Sequence, residues 1–147
     1  MEITTSRFGT LEIASDRIIQ FPLGILGFPE HNRWILLQVD SKSCFFWLQS
    51  VDEADLAFIL VQPQNFFPKY QVRVQVEELR PIGLESPEAG EVFAICNRVA
   101  NTITTNLQGP LIFNAATRQA RQVVLCDRQY HTRHELCLVE PALAAGV

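Results

Sequence analysis

Residues 45–68 constrain the fold more than any other part of the chain, because they demand apolar cover on two faces at once. Two runs rich in aromatic and β-branched residues, Phe45-Phe46-Trp47-Leu48-Gln49-Ser50-Val51 and Leu56-Ala57-Phe58-Ile59-Leu60-Val61-Gln62-Pro63, flank the acidic segment Asp52-Glu53-Ala54-Asp55. That pattern predicts two antiparallel strands with a polar connection. Side chains alternate along a strand, so Phe45, Trp47 and Gln49 share one face while Phe46, Leu48 and Ser50 share the other. In the second run Ala57, Ile59 and Val61 oppose Phe58 and Leu60. A closed or sandwiched sheet supplies cover on both sides, and so does a partner protein.

The rest of the chain reads as more short strands. Glu2-Ile3-Thr4-Thr5, Thr10-Leu11-Glu12-Ile13 and Ile18-Ile19-Gln20-Phe21 alternate with turn signals at Gly9 and Ser15-Asp16-Arg17. Phe21-Pro22-Leu23-Gly24-Ile25-Leu26-Gly27-Phe28-Pro29-Glu30 carries prolines without N–H donors and glycines free to take positive φ, so it is expected as an irregular loop plugging one end of the core. Trp34-Ile35-Leu36-Leu37-Gln38-Val39 predicts a strand, and so does Tyr70-Gln71-Val72-Arg73-Val74-Gln75-Val76, with its valines inward and one wet face. Glu77-Glu78-Leu79-Arg80-Pro81 predicts one helical turn. Val92-Phe93-Ala94-Ile95-Cys96 is expected as a buried strand before a turn at 97–101, and Leu111-Ile112-Phe113-Asn114 with Gln122-Val123-Val124-Leu125 as a final pair. The fold class is therefore all-β: a small closed or partly open antiparallel barrel or sandwich with few short helical turns. A single domain is expected over 1–140, with a frayed tail at 141–147.

At 147 residues and 48% hydrophobic content, one domain buries a sizeable core. The formal net charge of −4 and pI of about 5.3 oppose direct nucleic-acid binding and favour a basic partner. No run is long enough for a membrane span, and the first residues have no export-signal pattern. Cys44, Cys96, Cys126 and Cys137 are scattered and read as reduced thiols, which points to the cytoplasm.

Asp52, Glu53 and Asp55 are the nearest approach to a carboxylate cluster, but no substrate-positioning partner accompanies them. They read as a solvated turn or as an acidic docking edge, in which charge steers and neighbouring aromatics bury. Phe66 and Phe67, between Pro63 and Pro68, are expected as exposed hydrophobic contacts, with Tyr70 joining the same patch. Cys126, His131, His134 and Cys137 supply zinc-type ligands without the usual Cys knuckle, and Arg128 and Arg133 among them oppose a cation. A metal-binding or hydrolytic barrel centred on those four is the alternative reading. Phosphate loops and nucleophile elbows are absent from the sequence, so neither an enzyme nor a cofactor is expected.

Particular words of the chain go further. Phe21-Pro22-x-Gly24-Ile25-x-Gly27-Phe28, Phe46-Trp47-Leu48-Gln49-Ser50-Val51-Asp52 with Asp55-Leu56-Ala57-Phe58, Thr105-Asn106-Leu107-Gln108-Gly109-Pro110 and Gln122-Val123-Val124-Leu125 occur in that order. Together they resemble the FliW family of flagellar assembly factors, from Phe21 to about Leu136. The resemblance implies a cytoplasmic β-barrel-like protein with two protein partners, flagellin before export and CsrA, a small RNA-binding repressor of flagellin translation. Capture of CsrA would lift repression, and competition by flagellin would couple its synthesis to export. Ala116 and Ala120 stand where similar proteins tend to carry proline and glycine in the last turn, and the Cys/His-rich stretch is not a family feature.

Overall fold

The computed structural model describes residues 1–38 and 40–136. The expected tail at 141–147 and Cys137 lie outside the described residues.

The organising hairpin forms as its pattern dictates. Strands β1 (Glu2–Thr5) and β2 (Gly9–Glu12) make a separate two-stranded ribbon, and β3 (Ile19–Gln20) and β4 (Arg33–Leu37) lead into β5 (Phe45–Ser50) and β6 (Ala57–Val61). β5 and β6 pair antiparallel from Phe45↔Val61 to Gln49↔Ala57. A helical turn α1 (Val76–Leu79) follows, and then β7 (Glu91–Val99), β8 (Thr102–Thr105), β9 (Leu111–Asn114), β10 (Gln119–Gln122) and β11 (His134–Glu135).

The large sheet closes on itself. Its order runs β3-β4-β5-β6-β7, β7 pairs β9 as well as β8, β9 pairs β10, and β10 returns to β3. The closing seam is thin: a parallel pairing at Gln119↔Gln20, reinforced by the Gln20 amide donating to the Arg118 carbonyl at 2.8 Å. β8 and β11 extend outward from β7. The result is a partly open barrel.

Ring closure gives each two-faced strand an inside and an outside. Ile19, Trp34, Leu48, Leu60, Phe93 and Leu111 meet in the interior. Trp34 is fully buried, its Nε1 donates to the His31 carbonyl at 2.9 Å, and its ring lies 5.6 Å from that of Phe58. Among these side chains, Ile19, Leu48, Leu60, Phe93 and Leu111 line a void of about 10 Å³, too small for a ligand. On the outside, Phe45, Val61, Ala94, Cys96 and Ile112 are covered by Tyr70, Leu79, Ile82, Leu84, Val123 and Leu125. A third cluster, Ile3, Ile18 and Ile35, forms where the β1–β2 ribbon packs on the ring.

Four expectations need correction. Residues 71–75 are extended and alternate as expected, with Val72 and Val74 against the outer core, but they enter no ladder; they form a strap. The turn expected at 97–101 narrows to Ala100-Asn101, with Ala100 at φ 56°, because β7 runs on to Val99. The last hairpin pairs earlier than Gln122, since Arg118 takes φ 57° and its amide closes the turn onto the Asn114 carbonyl. Ala120 consequently lies in β10 facing the barrel interior, not in the turn.

The plugging loop is as irregular as its prolines and glycines require. Gly24 (φ 68°) and Gly27 (φ 89°) reverse the chain around an isolated bridge between Ile25 and Phe28. A Cβ on Gly24 would come within 2.5 Å of the Pro29 Cα, whereas one on Gly27 would meet nothing within 4 Å. Gly27→Ala should therefore cost only the left-handed strain, about 1–2 kcal/mol. Gly24→Ala should add overpacking, for about 2–5 kcal/mol in total. Urea denaturation of the two variants checks this, and equal losses would refute the close approach at Gly24.

Candidate partner-binding surface

With the barrel packed solid, chemistry and recognition must lie on its outside. One end of the ring gathers the segments the sequence singles out. β4 begins there, β5 ends there and β6 begins there, as the pairs Trp34↔Ser50 and Gln49↔Ala57 require. The plugging loop and the acidic turn therefore share this end.

The acidic turn is held from within. The fully buried Gln49 directs its Nε2 at the carbonyls of Ser50 and Leu56, 3.0 and 3.2 Å away. Ser50 Oγ accepts the amides of Asp52 at 3.2 Å and Glu53 at 3.0 Å. The three carboxylates then point outward, with different fates. Asp52 forms a two-pronged ion pair with Arg33, including Nε to Oδ2 at 3.1 Å. Asp55 accepts a hydrogen bond from the Ser6 hydroxyl at the tip of the β1–β2 ribbon. Glu53 is exposed.

The loop beside this turn shows which large side chains it does not bury. Phe21 and Ile25 point into the barrel at 2% exposure each, and Phe28 packs edge-on against Phe58 with ring centroids 5.4 Å apart. Leu23 and Leu26, at 63% and 65% exposure, point to solvent. The Leu26 amide is pinned to Gln122 Oε1 at 2.9 Å, and Gln122 Nε2 in turn holds the Gly109 carbonyl at 2.9 Å. Val124, two residues on, is also half exposed. The sequence reading missed Leu23 and Leu26 because it assigned every large apolar residue of the loop to the core. The available signal was the pair of glycines: reversals at Gly24 and Gly27 turn Ile25 inward and throw its neighbours out.

The other expected contact residues sit elsewhere and are less free. Phe66 and Phe67 are half-buried against the outer core, Phe66 with its ring 6.2 Å from Phe45 and Phe67 5.8 Å from the His134 ring. The 3-10 turn Pro63–Asn65 folds them back, so they are not the fully exposed pair expected. Tyr70 is 4% exposed and donates its hydroxyl to the Leu107 carbonyl at 2.7 Å, so it belongs to the core and to no open patch. Burial pushes the Tyr70 hydroxyl well above the usual phenol range and the Cys96 thiol up to about 12. Both groups stay protonated at neutral pH, and Cys96 is inert as a nucleophile.

His131 and His134 come together as stacked rings with centroids 3.7 Å apart. Their lone pairs are engaged by the backbone: the His131 amide donates to His134 Nε2 at 3.0 Å, and the Arg133 amide to His131 Nδ1 at 3.3 Å. Burial, with His131 alongside, lowers the His134 pKa and keeps it neutral. Among the described residues no three His, Cys, Asp or Glu side chains gather to hold a metal ion. His131 and His134 are used here to shape the connection into β11.

A model of the family described as FliW protein matches residues 2–136. The chain belongs to the FliW family. A flagellar assembly factor FliW of Treponema denticola is 41% identical over 138 residues, covering 92% of this chain and 93% of the relative. One from Heliobacterium modesticaldum is 40% identical over 138 residues, covering 92% and 90%. A crystal structure of a flagellar assembly factor FliW superposes with a TM-score of 0.85 at 31% identity, covering 94% of this chain and 98% of that one. The FliW resemblance read from the ordered sequence words therefore extends to the fold, and two of its four motif segments map onto the plugging loop and the acidic turn, the others onto the β8–β9 connection and the end of β10.

The Asp52–Arg33 pair sets a testable pH response. Its hydrogen bond from Arg33 holds the Asp52 carboxyl below the ordinary aspartate range. A depressed carboxyl stabilises the fold above its unfolded pKa, and that contribution is lost as the pH falls through the folded value. Both partners are about half exposed, so the loss should stay within about 1 kcal/mol. In a carboxyl-detected NMR titration, Arg33→Ala should move the Asp52 midpoint up towards that of free aspartate; an unmoved midpoint would refute the pairing.

Proposed function

We propose that this protein is a cytoplasmic, non-enzymatic flagellar assembly factor that binds CsrA to relieve repression of flagellin translation, and binds flagellin in competition with it. Membership of the FliW family along essentially the whole described chain carries this reading. The construction of the molecule supports it. A net charge of −4 suits a basic, RNA-binding partner better than RNA itself.

The docking surface we assign is the end of the barrel that carries Leu23 and Leu26, rimmed by Asp52, Glu53 and Asp55. Exposed leucines on a loop clamped by hydrogen bonds give a partner a preorganised apolar anchor, and the acidic rim steers a basic partner toward it. Phe66 and Phe67 form a second, half-buried contact region on another part of the surface.

Isothermal titration against CsrA from the same organism, at low and moderate salt, tests this. Saturable binding with modest weakening in salt is expected, with displacement by flagellin. The double variant Leu23→Ser, Leu26→Ser should weaken binding at least tenfold while leaving the thermal transition in place, because neither side chain is in the core. Full affinity in the folded double variant would move the docking surface elsewhere, and no binding by the parent protein at either salt would remove CsrA from its role.

A further inference from the structure

The strap at residues 71–75 and the start of β7 border a position that a strand could occupy. β6 pairs with β7 as far as Val61↔Ala94 and then leaves the sheet. Pro63, without an N–H, begins a 3-10 turn and cannot continue the ladder. β7 runs on past that point in the other direction, with Glu91, Val92 and Phe93 paired to β9 on one edge. A strand has two hydrogen-bonding edges, and among the described residues the edge of Glu91–Phe93 on the β6 side has no partner strand.

Facing this edge is the strap. Its burial alternates as in an extended chain, and Gln75 has extended backbone (φ −70°, ψ 142°); Val72 and Val74 lie on the outer core while Gln71, Arg73 and Gln75 are exposed. The Gln71 amide donates to the Tyr130 hydroxyl at 3.2 Å. Successive amides of an extended chain point to opposite sides, so those of Val72 and Val74 point away from Tyr130. Among the described residues they meet no backbone partner. Strap and β7 line a groove of about 630 Å³, with Val72 and Arg73 on one wall, Glu88, Glu91 and Val92 on the other, and Gln64 at the end where β6 departs.

We infer that this groove is a strand-addition site for an extended, basic peptide segment of a partner protein, independent of the surface that carries Leu23 and Leu26. Its backbone would satisfy the unpaired amides of Val72 and Val74, and its alternate apolar side chains would lie over Val72 and Val92. Lysine or arginine at the intervening positions would face Glu88 and Glu91. Arg73 on the facing wall offsets part of this charge but, among the described residues, pairs with neither carboxylate, its guanidinium donating to Gln71 Oε1 at 2.7 Å, so the two glutamates leave the groove net negative. The rest of segment 77–91 adds to the field, with Glu77, Glu78 and Glu85 against Arg80.

The probe is a fluorescein-labelled heptapeptide alternating lysine and valine, titrated by fluorescence anisotropy into the full chain. Saturable binding is expected, at least tenfold weaker for a copy N-methylated at alternate amides and for the folded double variant Glu88→Lys, Glu91→Lys. Hydrogen exchange at Val72 and Val74 should slow at least tenfold in the complex. Absence of saturable binding, or binding indifferent to N-methylation, would overturn the inference, the latter showing charge adsorption only. Slow exchange at Val72 and Val74 in the free protein that is abolished by deleting residues 137–147 would also overturn it, by assigning the groove to this chain's own C-terminal residues.

Discussion

The β5–β6 pair is apolar on both faces, and the architecture is the answer to that constraint. Leu48 and Leu60 need a dry interior, while Phe45 and Val61 on the opposite face need a dry exterior. An open sheet with one wet face would leave one of those sets in water, at a cost of roughly 1.5–3 kcal/mol for each large side chain. Closing the ring solves the first problem. The strap, α1 and the segment after β10 solve the second by wrapping the outside with Tyr70, Leu79, Ile82, Val123 and Leu125. The covering segments need not be sheet, which is why so much chain between β6 and β7 has only brief helical turns.

That economy also decides where recognition can occur. The interior side chains pack around a void of about 10 Å³, too small for a ligand. What remains is the edge left by thin or incomplete cover: the loop over one end, where glycine reversals expose two leucines, and the place where β6 leaves the sheet before β7 has ended. The first presents side chains and the second presents backbone. As the proposed sites they would call for different partners, one contributing an apolar pocket and the other an extended segment.

Much of this was legible in the sequence, for a physical reason: alternation and proline report directly on strand faces and strand ends. The two-faced hairpin, the irregular plug, the helical turn before Pro81 and the all-β class followed from those signals. What was not legible depends on contacts between distant segments. Phe66 and Phe67 read as exposed because adjacent rings seldom share a core, yet Phe45 and His134, remote in sequence, give each a wall. Tyr70 read as part of the same patch from its nearness in sequence to Phe66 and Phe67; its hydroxyl instead reaches the Leu107 carbonyl, 37 residues away. Residues 71–75 have a strand's pattern without a strand's partners, and pattern alone reports burial and not pairing. The acidic turn was visible, but its internal use of Asp52 and Asp55 was not, since Arg33 reaches it only through the pairing of β4 with β5 and Ser6 only through docking of the β1–β2 ribbon.

Magnitudes decide how the acidic rim and the apolar loop divide the work at the barrel end. Asp52 is already paired, so a basic partner gains only the exchange of one half-exposed ion pair for another, within about 1 kcal/mol. Burying the exposed two-thirds of Leu23 and Leu26 yields about 1–2 kcal/mol each, and because the loop is already pinned by Gln122 little ordering cost is set against it. The apolar contribution therefore exceeds the ionic one by a factor of about two or more. At the proposed docking surface charge would act on the rate and direction of encounter, where Glu53 and the overall negative field operate at a distance, while the leucines would set how long the partner stays.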